Sequence, residues 1–74
     1  MPLGEAVRSQ RKALGITQHE LGLLAHCGPV FIHALERGKP SLRLNKLVDV
    51  LTVLGLQLTV EPGKQGLRIR VPTA

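Results

Sequence analysis

Seventy-four residues are enough for one small domain, and a chain of that size buries a modest share of its surface. Cys27 is the only cysteine, which excludes an intrachain disulfide and leaves association with a second chain as the remaining support. Ten Lys and Arg against five Asp and Glu give a net charge of +5, which favours a polyanionic partner. The single aromatic residue, Phe31, argues against stacking of single-stranded bases and leaves contact with duplex phosphates.

In chain order, Leu3, Val7, Gln10, Arg11 and Leu14 fall near one face of a first helix, with Arg8 and Lys12 on other faces and Gly15 as its stop. Thr17 is placed to cap a second helix, and Glu20 completes a capping box. Leu21, Leu24 and Ala25 are its expected buried side. His26 and Cys27 form a turn, and Gly28-Pro29 opens a third helix with Ile32 and Leu35 inward. Gly38 ends that helix, and Lys39-Pro40-Ser41 is a loop.

A fourth helix is predicted from Leu44 to Leu54, stopped by Gly55. Its apolar residues Leu44, Leu47, Val48, Val50, Leu51, Val53 and Leu54 exceed one stripe, which calls for burial on two sides, the second against a partner. After Gly55 the period changes to two. Leu56, Leu58 and Val60 read as one strand; Leu67, Ile69 and Val71 read as a possible second, after a turn-like stretch from Glu61 to Gly66. A two-stranded hairpin is marginal alone and needs something to pack on.

Two short helices around a tight turn in a basic chain form a helix-turn-helix. In that motif the first helix crosses the phosphate backbone and the second lies in the major groove. Gln18, at the start of the second helix, is placed to donate to a phosphate. Gly28, Pro29, Val30 and His33 lead the recognition helix. Arg, Gln or Asn would supply bidentate base contacts at its forward positions, and none stands there. Val30 could touch a thymine methyl, and His33 could donate to guanine or phosphate, so readout falls to these or to DNA shape. Arg37, Lys39, Arg43 and Lys46 cluster as expected phosphate contacts. The alternative is a module that binds protein without reading DNA.

No enzyme is expected. The five acids Glu5, Glu20, Glu36, Asp49 and Glu61 form no catalytic pair, and Gly63 to Gly66 precedes no helix that would make it a phosphate loop. His19, His26, Cys27 and His33 lack the paired spacing of a zinc site, so no metal or cofactor is expected. No apolar run reaches membrane-spanning length. Met1 to Leu14 lacks the apolar core of a signal peptide, and a lone thiol suits a reducing compartment. The expected location is cytoplasmic.

Arg11, Thr17-Gln18, Leu21, Ala25, Ile32 and Leu35-Glu36-Arg37-Gly38-Lys39 resemble the Cro/C1-type (XRE) helix-turn-helix family over about Leu3 to Leu56. Pro40 to Leu44, the apolar fourth helix and the strand Leu56 to Val60 narrow the likeness to HipB-like antitoxins and the small Y4mF-type regulators. The resemblance implies an all-α, four-helix, lambda-repressor-like domain (1–56) with a short C-terminal β-strand extension and tail (57–74) for dimerisation. It implies a salt bridge between Arg11 and Glu36, and a homodimer through Val50, Val53, Leu54, Leu56, Leu58 and Val60. The implied function is a repressor of its own operon at a palindromic operator. Its implied partner is a HipA-like kinase toxin, with a stand-alone regulator as the alternative.

Overall fold

The structure, a computed structural model, describes residues 2–39, 41–60 and 67–70. Four helices are followed by a hairpin: α1 (Leu3–Ala13), α2 (Gln18–Leu24), α3 (Gly28–Glu36), α4 (Leu44–Leu54), β1 (Gln57–Val60) and β2 (Leu67–Arg70). The expected turn from Glu61 to Gly66, and Pro40 and Val71, lie outside the described residues.

Local chemistry sets the helix ends. Thr17 Oγ1 accepts from the Glu20 backbone N–H at 3.0 Å, and the Glu20 carboxylate accepts from the Thr17 N–H at 2.9 Å. This capping box satisfies two of the unpaired groups that any helix start exposes. Hydrogen bonding to the Glu20 carboxylate, from the Thr17 backbone N–H first and the Thr17 side chain second, holds that carboxyl below its ordinary value. Pro29 sits in the first turn of α3, where its missing N–H has no partner to lose. Gly55 closes α4 with a left-handed backbone, φ 72°. The Gln10 side-chain amide donates 3.0 Å to the Leu54 carbonyl, so α1 caps the end of α4.

One core joins all four helices and the start of the hairpin. Val7, Leu21, Ile32, Leu35, Val50 and Leu54 are its most buried large side chains. Leu47, Leu51, Leu56 and Ala25 complete it, with Leu3, Ile16, Phe31, Val53 and Leu58 packed at its edge.

Two expected core positions lie outside. Leu24 is 56% exposed. The buried arc of α2 is Leu21, Gly22 and Ala25, rotated away from Leu24 because α3 approaches over Gly22. A Cβ on Gly22 would stand 2.5 Å from the Gly28 carbonyl carbon. Leu14, 51% exposed, is the C-cap residue of α1 and turns outward with the chain, and Ile16 packs on the core in its place.

The two strands pair antiparallel within the chain, with Leu58 opposite Ile69 and Thr59 opposite Arg68. β1 lies against α4 and β2 against α1. Val50, Leu54 and Leu56, expected on a dimer face, are instead interior, at 0%, 1% and 5% exposure. The broad apolar girth of α4 is used mainly on its own domain. Of the expected set, Val53 and Leu58 are half-buried, and Val60 lies in β1.

The α2–α3 turn holds a strained residue. His26 has φ +56°, the left-handed region, which costs an L-residue about 1–2 kcal/mol. His26→Gly should therefore raise the unfolding free energy by about 1 kcal/mol, net of glycine's larger unfolded-state entropy. Gly22→Ala should lower it by at least about 1–3 kcal/mol, since its new methyl meets backbone. Chemical denaturation of the three proteins measures both, and a neutral Gly22→Ala would contradict the close α2–α3 approach.

Candidate nucleic-acid interface

The site is built on α3. With helical residues advancing about 100° each, Val30 and Arg37 share a crest two turns apart, with His33 and Ala34 on either side of it. Val30 is 81% exposed, and Pro29, His33 and Arg37 are exposed as well. Gly28 and Pro29 form the start of this helix, as expected. Ile32 and Leu35 anchor its opposite face in the core.

An open trough of about 490 Å³ runs along one flank of the crest. Val30, Phe31 and Ala34 form its α3 side, and Lys39, Arg43 and Lys46 its far side. Lys39 follows α3, Arg43 occupies the cap position of α4, and Lys46 lies in the first turn of α4. The structure thus gathers three of the four cations that the sequence placed in one cluster; the fourth, Arg37, lines a trough on the other flank. Phe31 is half-buried rather than a reading residue. Its ring centroid lies 5.8 Å from the Lys46 ammonium, a cation–π distance worth about 0.5–1 kcal/mol at an exposed site. Cys27 lines the same trough. Burial pushes its thiol up, and the opposed charges of Lys46 and Asp49 act on it with opposite sign.

A second trough, of about 330 Å³, runs along the other flank, lined by Arg8, Arg11, Gln18, His33, Glu36 and Arg37. At its base Arg11 donates to both oxygens of Glu36, from Nε at 2.7 Å and from Nη2 at 3.1 Å. The third guanidinium nitrogen, Nη1, donates 2.9 Å to the Ile16 carbonyl. The pair is the expected link between α1 and the end of α3, with side chains 11% and 4% exposed. Gln18 also has a partner within the domain: its Nε2 donates 3.1 Å to Glu36 Oε1, so the amide is oriented by the pair. Burial alone would push the Glu36 carboxyl up; hydrogen bonds from Arg11 and Gln18, with the charges of Arg11 and Arg8, outweigh it and hold the carboxyl below its ordinary value. The same hydrogen bond raises the Arg11 guanidinium above its own.

Arg8 is the residue that sequence reasoning missed. Its place three residues before Arg11, one turn along α1, was the available signal. Among the described residues, no three His, Cys, Asp or Glu side chains are grouped to hold a metal. Nor is any helix there long and apolar enough to cross a membrane.

An exposed helix N-terminus and crest, held by a capped preceding helix and flanked by cations, defines a helix-turn-helix of the DNA-binding kind. The Helix-turn-helix domain family matches residues 2–61, and the chain belongs to it. It is similar to the uncharacterized HTH-type transcriptional regulator y4mF of Sinorhizobium fredii, with 38% identity over 64 residues covering 85% of this chain and 84% of that one. The class is that of helix-turn-helix transcriptional regulators.

Glu36 makes the frame of this site sensitive to acid. The folded state binds its proton less tightly than the unfolded chain, whose carboxyl has the ordinary value of 4.5. The contribution of Glu36 is therefore fully present above that value and is lost as pH falls through the lower, folded one. Glu36→Gln leaves Arg11 a buried unpaired charge and should cost about 3–5 kcal/mol at neutral pH. The gap between the two proteins should narrow as pH drops below the carboxylate range. A gap independent of pH would show that the carboxylate charge is not what holds the pair.

Proposed function

We propose that the chain is a homodimeric repressor that binds a two-fold symmetric operator, its own promoter among its targets, in the cytoplasm. The observation that carries the DNA reading is the α3 crest of Pro29, Val30, His33 and Arg37, exposed between basic flanks. Gln18, Lys39, Arg43 and Lys46 serve as contacts to phosphate, which set register without reading sequence. With Val30 and His33 as forward side chains, base discrimination falls to thymine methyl contact, one imidazole and DNA shape.

Residues 57–74 serve as the dimerisation extension in this reading. Among the described residues β1 has β2 as its one strand neighbour, and an uncovered strand edge is a ready template for a second chain. Leu24, Leu44 and Val48 add apolar surface outside the core, at 56%, 61% and 45% exposure. A domain this small gains from such association. The likeness to a protein named as an HTH-type transcriptional regulator supports the regulator reading, and a stand-alone regulator without a toxin is its simpler form. A HipA-like kinase partner rests on the HipB-like features of the C-terminal part.

Selection from random duplexes, joined to sedimentation of the free chain, tests the reading. The expected result is a dimer at micromolar concentration and an enriched palindrome with half-sites about 34–36 Å apart. Changing Val30 or His33 should shift preference among operator variants by about 1–3 kcal/mol per lost contact. A monomer that enriches no motif at moderate salt overturns the proposal, and tight capture of a HipA-like kinase by that same protein would favour the protein-binding alternative.

A further inference from the structure

The trough between α1 and α3 holds more positive charge than the fold uses. Three guanidiniums, Arg8, Arg11 and Arg37, line it with one carboxylate, Glu36. That carboxylate already accepts from Arg11 and Gln18. Arg11 is committed to Glu36 and to the Ile16 carbonyl, so it serves structure. Arg8 and Arg37 remain, both exposed, beside the exposed imidazole of His33. The Gln18 amide has two hydrogens, and one is taken by Glu36, which aims the other without the freedom of an unbound side chain.

The position of this charge is as telling as its size. The α3 crest separates the trough from the one that holds Lys39, Arg43 and Lys46. A helix seated in a major groove about 12 Å wide has a phosphate row of one strand on each side. A single basic flank would meet one of those rows, and two flanks meet both.

We propose that Arg8, with Arg37 and the second amide hydrogen of Gln18, binds a backbone phosphodiester of the strand opposite to the one met by Lys39, Arg43 and Lys46. The proposal rests on the DNA-binding reading above and adds a contact from α1, outside the helix-turn-helix proper. The ligand is the phosphodiester anion, which a guanidinium meets in a planar, two-bonded geometry. The bracketing of the crest by two cationic troughs assigns it to duplex DNA rather than to a free anion. Clamped on both sides, α3 has its depth in the groove fixed by phosphates, which suits a reading face with few base-specific donors.

The test uses the full chain and a duplex of arbitrary sequence, because phosphate contacts do not depend on sequence. Affinity is measured across a salt series for the unmodified protein, Arg8→Gln, Arg8→Lys, Lys39→Gln and Lys12→Gln. Lys12 is exposed on α1 and lines neither trough. Arg8→Gln should flatten the slope of log affinity against log salt by about 0.9 for each subunit bound, as Lys39→Gln should. Across a fourfold rise in salt that is about a threefold smaller loss of affinity per subunit bound. Arg8→Lys should keep the slope, and Lys12→Gln should leave it unchanged.

Phosphate ethylation interference on the unmodified protein, bound to the duplex that the random selection enriches, gives a measure that needs no variant, and interfering phosphates on both strands within each half-site are expected. Interference confined to one strand within each half-site, or an Arg8→Gln slope equal to the unmodified one, overturns the assignment while the DNA-binding reading stands. Absence of duplex binding by the unmodified chain overturns both. At matched ionic strength, inorganic phosphate should compete no better than chloride. Competition that disappears in Arg8→Gln would assign the trough to free phosphate and overturn the proposal.

Discussion

The Arg11–Glu36 pair is the constraint on which the rest of the structure depends. Arg11 stands near the end of α1 and Glu36 is the last residue of α3, so the pair closes a long stretch of chain around α2. Every nitrogen of the guanidinium is used, two on Glu36 and one on the Ile16 carbonyl. Pairing three of its five N–H donors is what makes burial of the two charges tolerable, since a desolvated ion without partners is costly. The bond to Ile16 fixes the chain just before the Thr17 cap, and the Gln18 bond to Glu36 fixes the residue just after it. The start of α2 is thereby held from both sides, and α3 is held at its far end.

The close approach of α2 and α3 is the second fixed distance. Gly22 lets the backbone at Gly28-Pro29 come against α2, and Gly4 does the same for α1 against the last turn of α3, where a Cβ would stand 2.6 Å from the Leu35 carbonyl oxygen. Backbone against backbone leaves little room for adjustment, so the angle of α3 is set by sterics as well as by side-chain packing. The crest is presented at a fixed attitude, and side chains chosen for contact need not also support the helix.

Much of this was legible in the sequence where causes are local. Thr17 and Glu20 form the box that their spacing predicts, Gly55 stops α4, and the period-two residues after it form strands. Causes that act across the chain were harder to read. Leu24 sits at an apolar spacing, yet Gly22 turns the buried arc of α2 away from it. The apolar excess of α4 suggested a partner, but Val50, Leu54 and Leu56 are consumed by the domain itself, with Gln10 of α1 closing over the end of α4. Arg8 falls on another face of α1 in the sequence, and the fold sets it beside Arg37 and Gln18. A helical wheel shows which residues share a face; it does not show which other element that face meets.

The parts that hold α3 and the parts that α3 presents are different residues. Ile32, Leu35 and Glu36 bind it to the domain, whereas the side chains of Val30 and His33 are exposed to solvent. Mutational drift at the two outward positions is thus nearly free of folding consequences, within the small effects usual for surface changes. On the proposed reading of the crest as the DNA-contacting face, the recognised address can change while the framework stays constant, and an engineer can treat the crest as a replaceable cartridge. The same separation puts the burden of holding the helix on Arg11, Gly22 and Glu36, residues that lie off the exposed crest.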